Sequence, residues 1–184
     1  NAMRQERFED PMSPGVGNKA SYISFLNDLK NSRKRYTHIM IDGNDFKSIN
    51  DLHSHAHGDE AIRMYARAFR RAVDTSPFAK DVKVHRFGGD EYHIALHQPD
   101  GESDEQHHQK LHTLMRSLRN ETERALPSHG FPELNTTHKL SFSAGVARNP
   151  RVADLALNDF AKKNKKAANR SEERRVGKEC ATLC

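Results

Sequence analysis

The chain has 184 residues, of which 30% are charged and 35% are hydrophobic, with a formal net charge of +5. This composition is typical of one soluble domain with a buried core, and no apolar stretch approaches the roughly 20 residues that span a bilayer, so we expect no membrane contact. The positive charge lies largely in the C-terminal segment from Lys162 and lacks interleaved aromatic residues, which argues against nucleic-acid binding.

The ends of the chain are expected to lie outside the folded domain. Residues 1–9 are interpreted as an N-terminal lead that includes a tag-cleavage scar at Asn1-Ala2, and residues 171–184 as a disordered or non-native tail. The two cysteines, Cys180 and Cys184, both fall in that tail, so no disulfide framework is expected. The sequence therefore predicts one domain over residues 10–170 in a reducing, cytoplasmic setting.

Three elements are predicted in the first half of the domain. Apolar side chains at helical spacing predict a helix from Tyr22 to Leu29. Tyr36 to Asp42 is predicted as a strand, and its consecutive apolar residues Ile39 to Ile41 indicate burial on both faces, as in a central strand. From Asp59 to Val73, apolar residues recur every three or four positions, which predicts an amphipathic helix.

A hairpin is predicted at the middle of the chain. Two short apolar runs, Val84 to Phe87 and Tyr92 to Leu96, flank the sequence Gly88-Gly89-Asp90-Glu91. Glycine takes positive φ without steric cost, so a Gly-Gly step predicts a tight turn with both glycines in that conformation. Asp90 and Glu91 are then expected to project from the tip.

The second half adds a helix from Gln109 to Leu126, a half-buried strand from Lys139 to Ala147 and a basic helix from Val152 to Ala168. Residues 44–47 are expected to lead into one further helix, so the order of elements is α-β-α-α-β-β-α-β-α. This order predicts the α+β class, with helices flanking a mainly antiparallel sheet.

Two acidic clusters give the sequence its strongest functional indication. Acidic residues on a single turn are normally only solvated, but the segment from Asp42 to Asp51, followed by His55 and Gly58-Asp59, precedes the hairpin from Arg86 to His93. Together they resemble the GGDEF family of diguanylate cyclases, which carries D-x-D-x-F-K-x-I-N-D, then G-H-x-x-G-D, then a GG(D/E)EF hairpin. The resemblance implies the palm-like fold that this family shares with nucleotide cyclases.

The resemblance implies that two GTP molecules are condensed to cyclic di-GMP and pyrophosphate in a two-fold dimer. Each 3′-hydroxyl must attack the α-phosphate of the other nucleotide, so one copy of the chain presents one GTP to a second copy. The family uses Mg²⁺, or Mn²⁺, and the corresponding metal ligands here are Asp42, Gly43, Asp90 and Glu91. Asp90 and Glu91 are the implied catalytic residues.

The resemblance also implies a substrate site. The implied phosphate contacts are the backbone N–H groups of Asn44, Asp45, Phe46 and Lys47, although the Phe46 side chain is expected to anchor the core. The hairpin glycines Gly88 and Gly89 are also implied to bind the substrate. Asn50 and Asp59 match the pair that reads guanine, since a carboxylate accepts hydrogen bonds from its N1–H and N2–H₂ groups. Helix capping is the alternative for both.

Two further segments leave alternatives open. The family's final helix places two phosphate-binding basic residues four positions apart, which fits Lys162 with Lys166 or Lys166 with Arg170, without the family's intervening glycine. The alternating histidines from His53 to His57 suggest a transition-metal site, but histidines in a turn are usually solvated and His55 matches a family histidine. We therefore expect no metal at these histidines.

The family's inhibitory R-x-x-D site would fall on Ala79 and Val82, so no allosteric product site is expected. The alternative to an active cyclase is an inactive GGDEF domain that binds nucleotide as a regulatory module. That alternative is favoured by Asn44, which replaces the family's second Asp, and by Ser54, which replaces its glycine. In a full-length protein, a sensory or receiver domain is expected to accompany such a domain.

Overall fold

The computed structural model describes residues 8–136 and 139–159. Its strands are β1 (Glu9–Asp10), β2 (Ser13–Gly17), β3 (Arg35–Gly43), β4 (Val82–Gly88), β5 (Glu91–Gln98) and β6 (Phe142–Ala147). Its helices are α1 (Lys19–Lys30), α2 (Phe46–Leu52), α3 (His55–Asp74), α4 (Asp104–Arg124) and α5, which covers residues 150–159, with a 3₁₀ turn at Ala79–Asp81.

The strands form one sheet in the order β1-β2-β4-β5-β3-β6. Strand β3 is antiparallel to both of its neighbours, β5 and β6, and β4 is antiparallel to β5. Only the short contact between β2 and β4 is parallel among the described strand pairs. The predicted α+β class with a mainly antiparallel sheet is therefore confirmed.

Strand β3 is buried on both faces, as its run of apolar residues predicts. Ile39 and Ile41 belong to the main core, whereas Met40 packs on the opposite face with Ala153 and Leu157 of α5. Successive side chains of a strand point to opposite faces, so a strand covered by helices on both sides needs no polar alternation. Packing on both faces thus holds β3 as far as Ile41, the residue before Asp42.

Helices α3 and α4 cover one face of the sheet. The predicted apolar positions of α3 are buried, including Tyr65 and Phe69, and they pack with Leu114 and Leu118 of α4. Helix α3 starts four residues earlier than predicted, because the Ser54 side chain accepts a hydrogen bond from the backbone of His57 and caps the helix there.

Helix α1 covers part of the other face, and it is longer than predicted because Asn18 caps its first turn by accepting from the backbone of Ser21. Phe25 packs there against Tyr36 and Ala95. Three buried histidines lie beside this cluster, one from each of β3, β5 and β4. They are His38, His93 and His85.

Two details of the fold differ from the sequence predictions. The short strands β1 and β2 were not expected, and they bring Glu9, assigned to the lead, into the sheet. At the hairpin, Gly89 alone of the two glycines has positive φ, at +45°, whereas Gly88 ends β4 and pairs with Glu91. The turn is therefore built on Gly89 and Asp90 rather than on the two glycines.

Within the described residues, none of the helices is both long enough and apolar enough to cross a membrane. The predicted helix from Val152 to Ala168 is described as far as residue 159, and the predicted tail over residues 171–184 lies outside the described residues.

Candidate active site

Three acidic residues meet where β3 ends beside the hairpin. Asp42, near the end of β3, is the register partner of Glu91, the first residue of β5. The backbone N–H of Gly43 donates to the carbonyl of Asp90 over 3.2 Å, which ties the hairpin turn to the end of β3. The fold therefore brings together three residues that were predicted as one site from two separate stretches of sequence, namely Asp42, Asp90 and Glu91.

The carboxylates of this cluster repel one another. Partial burial, together with the charge of Asp42, raises the pKa of Asp90 to about 6. The pKa of Glu91 is also raised, first by burial and then by the charge of Asp42. Burial and a nearby like charge both disfavour the ionised form, so a cation placed among these oxygens would relieve an electrostatic cost that the fold sets up.

Tyr65 of α3 lies behind the acidic cluster. An added Cβ at Gly43 would lie 3.2 Å from its ring and 3.0 Å from the Asp90 side chain, so these groups pack closely. The Tyr65 hydroxyl donates to the carbonyl of Ser141 over 2.7 Å. Burial, then the charge of Asp90, raises the pKa of Tyr65, which remains a neutral donor. The exposed side of the cluster presents carboxylate oxygens, the donors that Mg²⁺ prefers.

Arg86 supports the hairpin tip, a role that the sequence analysis did not assign. Its guanidinium donates to the carbonyl of Gly89 over 2.9 Å and forms a 2.9 Å ion pair with the buried Asp10 of β1. The N-terminal strand pair is thereby linked to the turn that carries Asp90. The only signal in the sequence was the position of Arg86, two residues before Gly88. Its partner Asp10 lies far away in sequence.

The segment after β3 is held by β6 and by the core. The Asn44 amide nitrogen donates to the Ser141 hydroxyl over 3.0 Å, and the Ser143 hydroxyl donates to the Asn44 amide oxygen over 2.7 Å. The backbone N–H of Asn44 also donates to the Ser141 carbonyl. Asn44 was predicted to offer this N–H to phosphate, and the prediction needs correction, because the group already has a partner in the sheet.

Asp45 connects this segment to α2, whose first two residues are Phe46 and Lys47. Asp45 adopts a left-handed conformation with φ of +56°, and α2 begins at Phe46. Phe46 packs against the main core, as expected, and Lys47 is exposed.

Asn50 and Asp59 lie on two consecutive helices that are in direct contact. Asn50 is inside α2, and its side chain rests on Gly58 of α3, where an added Cβ would lie only 2.0 Å from the Asn50 amide oxygen. Asp59 is the exposed residue that follows Gly58. Neither residue caps a helix, so both capping alternatives are wrong, and the contact places Asn50 beside the backbone that carries Asp59.

Charged residues from two other elements act on Glu91. The charge of Asp154 on α5 helps to raise the pKa of Glu91, and that of Lys19 on α1 opposes the rise. No sequence motif assigns either residue to the site. The predicted phosphate-binding lysines, Lys162 and Lys166, lie outside the described residues.

The positions of the absent inhibitory site lie away from the hairpin tip. Ala79 is in the 3₁₀ turn and Val82 is buried at the start of β4. Arg71 and Asp74, which spell the R-x-x-D pattern on α3, form exposed ion pairs with other residues of the helical layer, namely Glu121 and Arg70.

Comparison with known proteins agrees with this architecture. The sequence profile described as "Diguanylate cyclase, GGDEF domain" matches residues 17–175. The chain is 34% identical over 100 residues to the diguanylate cyclase DgcN of Escherichia coli (strain K12), a match that covers 53% of the chain but 23% of that relative. An uncharacterized membrane protein of Staphylococcus aureus (strain USA300) is 28% identical over 87 residues, or 45% of the chain and again 23% of the relative.

Solved structures show the same fold. The diguanylate cyclase SiaD of Pseudomonas aeruginosa, solved with its activator SiaC, has a TM-score of 0.65 at 20% identity, covering 88% of the chain and 61% of SiaD. The coiled coil and GGDEF domain of DgcB from Caulobacter crescentus, solved with c-di-GMP, has a TM-score of 0.61 at 19% identity, covering 92% of the chain and 84% of that structure.

Proposed function

Because the chain belongs to the GGDEF domain family, we propose that it is a diguanylate cyclase catalytic domain, which condenses two GTP molecules to cyclic di-GMP and two pyrophosphates. The observation that carries this proposal is the convergence of Asp42, Asp90 and Glu91 at the hairpin tip, with the pKa of both Asp90 and Glu91 raised. Carboxylates that repel one another on an exposed edge are suited to bind a cation and to work beside a phosphate.

The oxygen donors of this cluster fit Mg²⁺ or Mn²⁺. Asp42 and Asp90 would hold the ion through their carboxylates, with Glu91 and the carbonyl of Gly43 as further ligands. Such an ion offsets phosphate charge and polarises the phosphoryl group under attack. The role of the chain is to keep these oxygens on one edge, through the β3–β5 register and through the support that Arg86 gives to the turn.

The nucleotide is expected to lie between the hairpin tip and the helices α2 and α3. The backbone of Asp45 to Lys47 and the glycines Gly88 and Gly89 would contact its phosphates, with Lys162 and Lys166 as the basic pair. Asn50 and Asp59 would bind the guanine edge, and the exposed position of Asp59 leaves its carboxylate accessible. A carboxylate accepts from the donors of guanine, whereas adenine has no matching pair.

Catalysis requires two copies of the chain. In a two-fold arrangement each copy presents one GTP, and each 3′-hydroxyl faces the α-phosphate of the other nucleotide. A second domain that brings two copies together would then control the rate. The chain matches 23% of the length of these two relatives. In a longer protein of that kind, the pairing domain would lie in the remaining part.

An inactive nucleotide-binding module is the second candidate. Asn44 occupies the position of the family's second Asp, and its amide is committed to Ser141 and Ser143, so the site has one carboxylate fewer. Incubation of the purified protein with GTP and Mg²⁺, followed by chromatography, distinguishes the two candidates. Cyclic di-GMP formed by the wild type and not by Asp90→Asn supports the cyclase, whereas GTP binding without product supports the regulatory module.

A further inference from the structure

A second cluster of metal-ligating side chains lies where α2 and α3 meet the segment between α4 and β6. It consists of His53 at the C-terminal end of α2, His57 in the first turn of α3, and Glu133. One ligand atom from each of the three lies within 4.8 Å of the others. The sequence alone favours solvated histidines, because nothing in it links them to Glu133, 76 positions after His57.

We propose that His53, His57 and Glu133 form a binding site for a transition-metal ion of the Zn²⁺ class. Two imidazole nitrogens and one carboxylate oxygen are a common three-residue ligand set for zinc, with a fourth position left for water or another ligand. Mg²⁺ prefers oxygen donors, so this set distinguishes the site from the acidic cluster at the hairpin.

The orientation of His57 supports this assignment. Its Nδ1 lies 2.8 Å from the hydroxyl of Ser54, and its Nε2 contacts the carboxylate of Glu133. With the Ser54 hydroxyl donating to Nδ1, Nε2–H donates to the Glu133 carboxylate. With Nδ1–H donating to Ser54, the lone pair of Nε2 faces the carboxylate, and both groups are then available as ligands of one metal ion. Metal-binding histidines usually have their other ring nitrogen held by a hydrogen bond of this kind.

Both sides of the cluster are held in place by packing. The ring of Phe131 packs edge-on against His57 at 5.0 Å, and His53 stacks on His57 at 5.0 Å. Glu133 precedes the fully buried Leu134, and Asn135 bonds back to the end of α4 through the carbonyl of Glu123. The cluster is therefore presented by anchored backbone, with the stacked ring of His53 on its exposed side.

A bound ion would also join two segments that are distant in sequence. His53 and His57 bracket the turn between the helices that carry Asn50 and Asp59, and Glu133 belongs to the segment before β6. Joining them would stiffen the α2–α3 turn. The assignment of the site does not depend on the proposed cyclase activity, because the cluster shares no residue with the acidic site.

The test is a calorimetric titration of the protein with Zn²⁺ alone, after treatment with EDTA and without nucleotide. We expect one strong site, and His53→Ala, His57→Ala and Glu133→Gln should each weaken binding by more than about 100-fold, while Ser54→Ala weakens it by about 10-fold. Zn²⁺ should raise the melting temperature of the wild type but not that of the ligand variants. Millimolar Mg²⁺ should not compete.

Two control variants separate this site from adventitious binding. His55→Ala removes a histidine of the same turn that is outside the cluster, and His112→Ala breaks an exposed histidine pair on α4 whose rings are 5.8 Å apart. Both should bind like the wild type. No strong binding by the wild type, wild-type affinity in Glu133→Gln, or an equal loss in His55→Ala would overturn the proposal. Circular dichroism in EDTA identifies any variant that fails to fold, and the conservative Glu133→Gln keeps the test decisive.

Discussion

Asp42 and Glu91 face each other as register partners on the antiparallel strands β3 and β5, and Asp90 lies in the turn directly before Glu91. A pairing of like charges on adjacent strands destabilises a sheet. Burial first, and then the charge of Asp42, raises the pKa of both Asp90 and Glu91 here. A cation bound there, as proposed, would offset both costs.

Asp90→Asn should abolish turnover without loss of the fold. The substitution removes charge from the proposed metal site, and such sites supply several kcal/mol of charge stabilisation, so product formation should fall by at least about 100-fold. Without metal, the melting temperature should stay the same or rise, because burial and Asp42 already disfavour the Asp90 carboxylate. Ile94→Ala in the core serves as the reference, and a comparable loss of stability in Asp90→Asn would indicate a structural role instead.

Asp59→Ser should weaken discrimination between GTP and ATP. The exposed carboxylate of Asp59 is the proposed acceptor for the guanine edge. A serine hydroxyl offers one neutral oxygen in place of two charged ones, so the bidentate, charge-assisted pairing with both donors is lost. Competition titrations with the two nucleotides measure the effect. Asp51→Ser is the matched control, because Asp51 is also an exposed acid of the same pair of helices. Equal selectivity in the wild type and in Asp59→Ser would exclude Asp59 from the base site.

The sequence predicts those parts of the molecule that depend on local patterns. The apolar run of β3 and the helical spacing of α3 indicate their burial directly, and the two acidic stretches are ordered and spaced as in the family. Contacts that depend on distant partners are not visible in the sequence. The ion pair of Arg86 with Asp10 and the approach of Glu133 to His57 both require the folded chain.

The hairpin shows the same limit at a shorter range. The Gly-Gly step predicts a turn, but the choice between turning on Gly88-Gly89 and turning on Gly89-Asp90 depends on strand register. Arg86 opposes Tyr92 but Gly88 opposes Glu91, so an irregularity at Phe87 shifts the register of β4 against β5 just before the turn. A bulge of this kind redirects the residues that follow it, so the glycines alone do not determine which residues form the turn.

Gly58→Ala should destabilise the protein, and removal of the Asn50 side chain should reverse the sign of the effect. An added Cβ would lie 2.0 Å from the Asn50 amide oxygen, and overpacking of this kind costs about 1–3 kcal/mol. In an Asn50→Ala background the clash is gone, and alanine in place of a helical glycine should then stabilise by about 0.5–1 kcal/mol. Urea denaturation of the four proteins measures this cycle. The same destabilisation in both backgrounds would contradict the contact.

The last prediction concerns acid stability and the three buried histidines. His38 Nδ1 lies 2.9 Å from His93 Nε2, and His93 Nδ1 lies 3.2 Å from His85 Nδ1. Burial lowers the pKa of His38 to about 4, and burial assisted by the charge of Lys83 lowers that of His85 to about 4. Burial, then the charges of His85 and His38, also lowers the pKa of His93.

An ordinary histidine pKa is about 6.5, so between that value and about pH 4 the unfolded chain binds more protons than the folded one. The free energy of unfolding should therefore decrease as the pH falls through this window, by about 1.4 kcal/mol per pH unit for each such group. Urea denaturation between pH 4.5 and 7 measures the slope, which should be shallower in His85→Gln. His108→Gln, on the exposed face of α4, should keep the wild-type slope, and an unchanged slope in His85→Gln would contradict a buried, neutral His85.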